Sequence, residues 1–129
     1  MRVLIVEDEV LIAMHLEMLV AELAHEVCAI ASSADEALAH AAAYRPDVTL
    51  MDVRLADGSS GIDAALEMHA RHGLRCIFLS GNIDDALRTA VQACNPLDFI
   101  GKPILPVVLQ QALERAETLS RRTAAGQSA

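Results

Sequence analysis

Five short apolar runs rich in β-branched residues punctuate the chain: Val3 to Val6, Val27 to Ile30, Val48 to Met51, Cys76 to Leu79 and Leu97 to Ile100. Runs of about four residues without polar alternation are what strands covered on both faces of a parallel sheet require. The stretches between them change period. Ile12, Leu16, Leu19, Val20 and Leu23 recur with helical spacing, and Ile83, Leu87, Ala90, Val91 and Cys94 repeat the same intervals on a later segment. Both predict amphipathic helices with one apolar face. Ser33 followed three residues on by Glu36 reads as a capping box, and Asn82 ahead of Asp84 and Asp85 as an N-cap with an acidic first turn. Stops fall at Gly73, at Asn95-Pro96 and at Arg45-Pro46.

The resulting order is strand then helix, five times. Such crossovers are right-handed and put helices on both faces of a parallel sheet, so the pattern predicts a doubly wound open α/β sheet. A closed eight-stranded barrel needs about 250 residues, and this chain has 129. From Ser120 to Ala129 the sequence is polar and small without periodicity. That predicts one domain over residues 1–119 and a flexible tail over 120–129. Neither repeats nor an appended helix-turn-helix pattern can be read, so the expectation is a domain that works alone.

Composition narrows the function. With 10 Lys and Arg against 18 Asp and Glu, the formal charge is −8; such a chain repels a phosphate backbone, and direct nucleic-acid binding is not expected. No apolar run approaches the roughly 20 residues of a membrane span. Cys28, Cys76 and Cys94 are odd in number, far apart and set among apolar neighbours, as reduced core thiols of a cytoplasmic protein would be.

In an open α/β sheet the ligand site lies beyond the carboxyl ends of the strands. Strand one ends in Glu7-Asp8, strand three in Asp52, strand four in Ser80 and strand five in Lys102-Pro103. With strands in the order 2-1-3-4-5, these ends belong to four neighbours and converge. Three carboxylates with one ammonium need a bound cation or raised pKa values. Hard oxygen donors suit Mg²⁺, and a carboxylate beside it can attack a phosphoryl group to give an aspartyl phosphate. Lys102, the one lysine beside nine arginines, and the Ser80 hydroxyl would then face other phosphoryl oxygens.

These residues, in this order, resemble the receiver domains of two-component response regulators, over roughly residues 2 to 119. The motifs are Val6-Glu7-Asp8-Glu9, Pro46-Asp47 leading to Leu50-Met51-Asp52-Val53, Leu79-Ser80-Gly81, and Phe99-Ile100-Gly101-Lys102-Pro103. The resemblance implies a flavodoxin-like (βα)₅ fold and phosphate accepted on Asp52 from a histidine kinase or histidine phosphotransfer protein. It further implies Mg²⁺ held by Asp8 and Asp52 directly, by Glu7 through water and by the Arg54 backbone carbonyl. A cis Lys102-Pro103 bond is implied too, as is a switch in which Ser80 and Phe99 move together and reshape the face of helix four, strand five and helix five. Phe78-Leu79-Ser80-Gly81 partly matches the branch nicknamed FAT GUY, often served by kinases of the HWE type. The loop from Leu55 to Gly61 lacks that family's proline and is expected to be mobile, and Gly81 stands where many members carry alanine.

Simpler readings stand beside these. Asp8 suits a cap of helix one, Ser80 a cap of helix four and Phe99 plain core. His69 and His72 lie three residues apart, without a third ligand for a metal. Val10, Leu11, Met14 and Met18 widen helix one beyond its core stripe and suggest a self-association or partner patch. Rival functions are a flavodoxin-type redox carrier, a receiver-shaped interaction module that is not phosphorylated, and a Mg²⁺-dependent phosphohydrolase. The first would need a hydroxyl-rich phosphate loop and aromatics where the chain has Glu7-Asp8-Glu9 and no Trp. The last commonly carries a second acid two residues past its nucleophile, at the position of Arg54.

Overall fold

A computed structural model describes the backbone of residues 1–55 and 57–128, with side chains, Ala56 apart, through Ser120. Five parallel strands, β1 (Arg2–Val6), β2 (Glu26–Ala31), β3 (Val48–Asp52), β4 (Cys76–Ser80) and β5 (Asp98–Gly101), pair in the order β2-β1-β3-β4-β5. Five helices connect and close them: α1 (Val10–Glu22), α2 (Ala34–Tyr44), α3 (Gly61–His72), α4 (Asp85–Ala90) and α5 (Pro106–Ser128). This is the doubly wound α/β fold that the alternating periods predict.

Side chains leave the sheet on both faces into two cores. On one, Leu4, Val6, Met51 and Phe78 pack against α2 and α3 through Ala37, Ala41, Ala65 and Met68. On the other, Ile5, Leu50, Ile77 and Ile100 pack against α1 and α5 through Leu16, Val20, Leu109 and Leu113. Continuous burial holds for β3 throughout and for β1 and β4 except one terminal residue each, but β2 and β5 are only half-buried. The reason is position: each edge strand has a neighbour on one side only.

The capping signals are present with small changes. Ser33 accepts from the Glu36 N–H at 3.2 Å, while the Glu36 carboxylate reaches back to the N–H of Ser32, not Ser33, at 2.9 Å. Gly73 ends α3 at φ 69°, and Arg45 and Asn95 also take left-handed φ, at 48° and 51°. The helix predicted from Ile83 to Cys94 is a correction: α4 stops at Ala90, and a separate 3-10 turn, Gln92–Cys94, follows. Val91 and Cys94 remain buried, so the apolar period survives where the helix does not. Asp84, not Asn82 or Ser80, caps α4, accepting from the Leu87 N–H at 2.9 Å. Glu9 occupies the N-cap of α1 without a side-chain bond, so Asp8 is not that cap.

Of the tail expected over 120–129, only the Ser120 side chain lies within the described residues, and α5 itself runs to Ser128. Cys28, Cys76 and Cys94 are free thiols whose pKa values burial pushes up. Among the described residues no helix is long and apolar enough to cross a membrane. Ser33→Ala should lower stability by about 1 kcal/mol, the usual worth of an N-cap, as read by urea denaturation.

Candidate functional site

Parallel strands all end at one edge, and there the chain gathers its acids. Glu7 follows β1 and still donates its N–H to Ala31 O at 2.9 Å, which continues the ladder and keeps its side chain inside. Asp52 closes β3, and Lys102 follows β5 with its N–H on Ser80 O at 2.9 Å. One carboxylate oxygen from each of Glu7, Asp8 and Asp52 lies within 4.8 Å of the others, the one such acid, histidine or cysteine cluster among the described residues. The Lys102 ammonium stands 3.4 Å from Glu7 and 3.2 Å from Asp52 Oδ2. Glu7 and Asp52 are buried, and Asp8 is half-buried.

Burial, together with the hydrogen bond and charge of Asp52, raises the Glu7 pKa to about 8 against the pull of Lys102. Burial also works against the Lys102 ammonium, but the charges and hydrogen bonds of Asp52 and Glu7 outweigh it and raise its pKa. Without a cation the cluster therefore lowers its own repulsion by keeping a proton between two carboxylates. The donors are all hard oxygens, which fits Mg²⁺ and not a thiolate or imidazole metal.

The cluster opens into a cleft of about 1190 Å³ whose walls include Asp8, Asp52, Arg54, Ser80 and Lys102. Arg54 donates its N–H to Asp52 Oδ1 at 3.3 Å and pairs with Ser60 in an isolated antiparallel bridge. The loop between them is tied at Ser59, whose Oγ accepts from the Ala34 N–H at 3.1 Å. Of the loop expected to be mobile, Ala56 lies outside the described residues. Gly61 is a site residue that the sequence alone does not reveal: a Cβ there would sit 1.9 Å from the Asp52 carbonyl oxygen. Only glycine lets the start of α3 close over the end of β3. Gly81, by contrast, has open space around it.

Ser80 lines the same cleft as the charge cluster, whereas Phe99 is not among its walls. The Ser80 hydroxyl donates to Asn82 O at 3.0 Å and accepts the Asn82 N–H at 3.1 Å. Phe99 is half-buried, with its ring on Phe78 and beneath the Arg88 guanidinium. The Lys102-Pro103 bond is cis. His69 bonds the Leu74 carbonyl and belongs to no metal cluster among the described residues.

A carboxylate cluster with a lone ammonium, set at the carboxyl edge of a 2-1-3-4-5 sheet, defines a class, and sequence comparison gives the same class. The chain belongs to the response regulator receiver domain family, which matches residues 3–114. It is 38% identical over 127 residues to the phyllosphere-induced regulator PhyR of Methylorubrum extorquens, covering 95% of this chain and 47% of that one. The response regulator PhyR from Brucella abortus superposes with a TM-score of 0.83 at 33% identity, over 98% of this chain and 51% of that one. The signal receiver domain of a modulated diguanylate cyclase from Desulfovibrio desulfuricans G20 does so at 0.85 and 28%, over 95% and 97%. The chain thus spans about half the length of its PhyR relatives.

Two outcomes are expected. Gly61→Ala should cost on the order of 1–3 kcal/mol through overpacking, read by urea denaturation. Glu7 holds a proton in the folded chain that the unfolded chain has released, so its contribution is fully present below the ordinary carboxylate pKa of 4.5 and lost as pH rises through about 8. In EDTA, the stability of the parent relative to Glu7→Gln should therefore fall between about pH 5 and pH 8; a flat difference would show that Glu7 titrates normally.

Proposed function

We propose that this receiver domain accepts a phosphoryl group on Asp52, from a histidine kinase or histidine phosphotransfer protein, and signals through the partner that its altered surface engages. The observation that carries the reading is the Lys102 ammonium bridging buried Glu7 and Asp52, 3.4 and 3.2 Å away, beside half-buried Asp8. Asp52 lines the cleft beside Lys102, and in this reading it is the nucleophile. An Asp52 oxygen attacks phosphorus, the O–P bond forms as the donor's N–P bond breaks, and the leaving imidazole takes up a proton from solvent. Lys102 then exchanges its carboxylate contact for a phosphoryl oxygen, and Ser80 leaves Asn82 to donate to another.

Mg²⁺ would be held by Asp8, Asp52 and the Arg54 carbonyl, with Glu7 behind them, and when bound it neutralises the charge that carboxylates and phosphoryl oxygens bring together. The all-oxygen donor set and the proton retained by Glu7 support this reading. Val10, Leu11, Met14 and Met18 are exposed on α1, beginning one residue past Glu9 at the cleft wall. An apolar face that begins beside the cleft wall suits the docking of a phosphodonor or of a second copy. Free thiols, Cys76 and Cys94 buried and Cys28 half-buried, and an intracellular phosphodonor fit a cytoplasmic setting. We read the chain as a phosphate acceptor and not as an enzyme for outside substrates, since Arg54 occupies the position of a second catalytic acid.

With acetyl phosphate and Mg²⁺, the parent should incorporate hydroxylamine-sensitive phosphate, and Asp52→Asn or added EDTA should abolish it. Parent-level incorporation by Asp52→Asn would overturn the assignment of the acceptor.

A further inference from the structure

Six residues make α4 too short to hold its place by its own backbone bonds. What fixes it is a small set of contacts. Leu87 is its one buried side chain, and Asp84 caps it through the Leu87 N–H. At its exposed side, Arg88 lays its guanidinium over the Phe99 ring, 4.7 Å from the centroid. Phe99 also meets Phe78, with centroids 5.8 Å apart and planes inclined by 24°. A cation over an aromatic face attracts the ring and so favours the position in which the two meet.

The same helix start is tied to the site. Ser80 Oγ donates to Asn82 O and accepts the Asn82 N–H. The Asn82 amide in turn donates to Asp84 Oδ2 at 3.2 Å, while Asp84 Oδ1 caps α4 and its carbonyl accepts the Arg88 N–H at 3.1 Å. An unbroken series of contacts thus runs from the Ser80 hydroxyl through Asn82, Asp84 and Arg88 to Phe99.

We propose that Arg88 is a positioning residue, a latch that holds Phe99 against Phe78 as long as Ser80 remains bonded to Asn82. The inference rests on the phosphate-acceptor reading of Asp52. When Ser80 turns to a phosphoryl oxygen, Asn82 loses both of its bonds to that hydroxyl. Its hold on Asp84 slackens, the first turn of α4 shifts, and Arg88 releases the ring. The release is a displacement of one marginally held helix, a low-stability element that a local event can move. It gives Phe99, which has no hydroxyl to exchange partners, a polar group that answers to Ser80.

The chain has two phenylalanines, Phe78 and Phe99, so ring-labelled phenylalanine gives an NMR spectrum with two ring systems. Spectra of the full chain are recorded with and without beryllofluoride and Mg²⁺, for the parent, Arg88→Met and Arg88→Lys. In the free state, Arg88→Met should move the Phe99 ring resonances part of the way toward the positions the parent reaches with beryllofluoride, and Arg88→Lys should restore them. Asn82→Ala should shift them in the same direction as Arg88→Met, which a merely local packing effect at Arg88 would not produce. Unchanged Phe99 resonances in free Arg88→Met would overturn the latch. Failure of the parent to respond to beryllofluoride would instead sink the acceptor reading, and with it the coupling to Ser80. Arg88→Met lies outside the cleft wall and should still take phosphate from acetyl phosphate.

Discussion

Burying two carboxylates beside a third leaves an electrostatic debt that one ammonium cannot cancel, and the rest of the structure is arranged around that imbalance. Glu7 and Asp52 lie at the ends of adjacent strands, where the ladder fixes their backbone and little of either residue reaches water. Lys102 reaches both from the end of β5. The proton that burial and Asp52 hold on Glu7 is the form the imbalance takes in the free protein. A cation or phosphoryl group entering the cleft would meet oxygen donors that the strand ends already bring together, leaving Lys102 and Ser80 as the groups that change partners.

Rigidity is distributed to match. β1, β3 and β4 are buried on both faces and hold the acids in register. Gly61 lets α3 close on Asp52, and the Arg54–Ser60 bridge ties the intervening loop. On the other side of the cleft, α4 is short and rests on a cap, one apolar side chain and one cation over a ring. The Asp52 side is thus held by many contacts and the side toward Phe99 by few, which is the arrangement the proposed two-state signal needs.

Much of this is legible in the residues themselves. Uninterrupted apolar runs mark the strands because a parallel sheet buries both faces, and the chemistry can be located because such sheets present their carboxyl ends at one edge. The sequence misleads where a pattern has two physical origins. Ile83 to Cys94 keeps a helical apolar period, yet Val91 and Cys94 are buried from the end of α4 and a 3-10 turn, since burial asks only for the right direction and not for a continuous helix. Asn82 looks like the cap, but its amide bonds Asp84, which takes that role. Gly61 and Arg88 carry no local signal: one matters through a close approach to Asp52 and the other through a ring 11 positions away in sequence. Contacts between distant segments cannot be read from spacing.

Chemical trapping identifies the residue that would take the phosphate. Borohydride reduction of the chain after exposure to acetyl phosphate, followed by peptide mass mapping, converts an acyl phosphate to an alcohol and so marks the residue that carried it. The mark should fall on Asp52 when Mg²⁺ is present and on no residue in EDTA. Reduction at another carboxylate, or at Asp52 equally without the metal, would contradict Mg²⁺-dependent phosphorylation of Asp52.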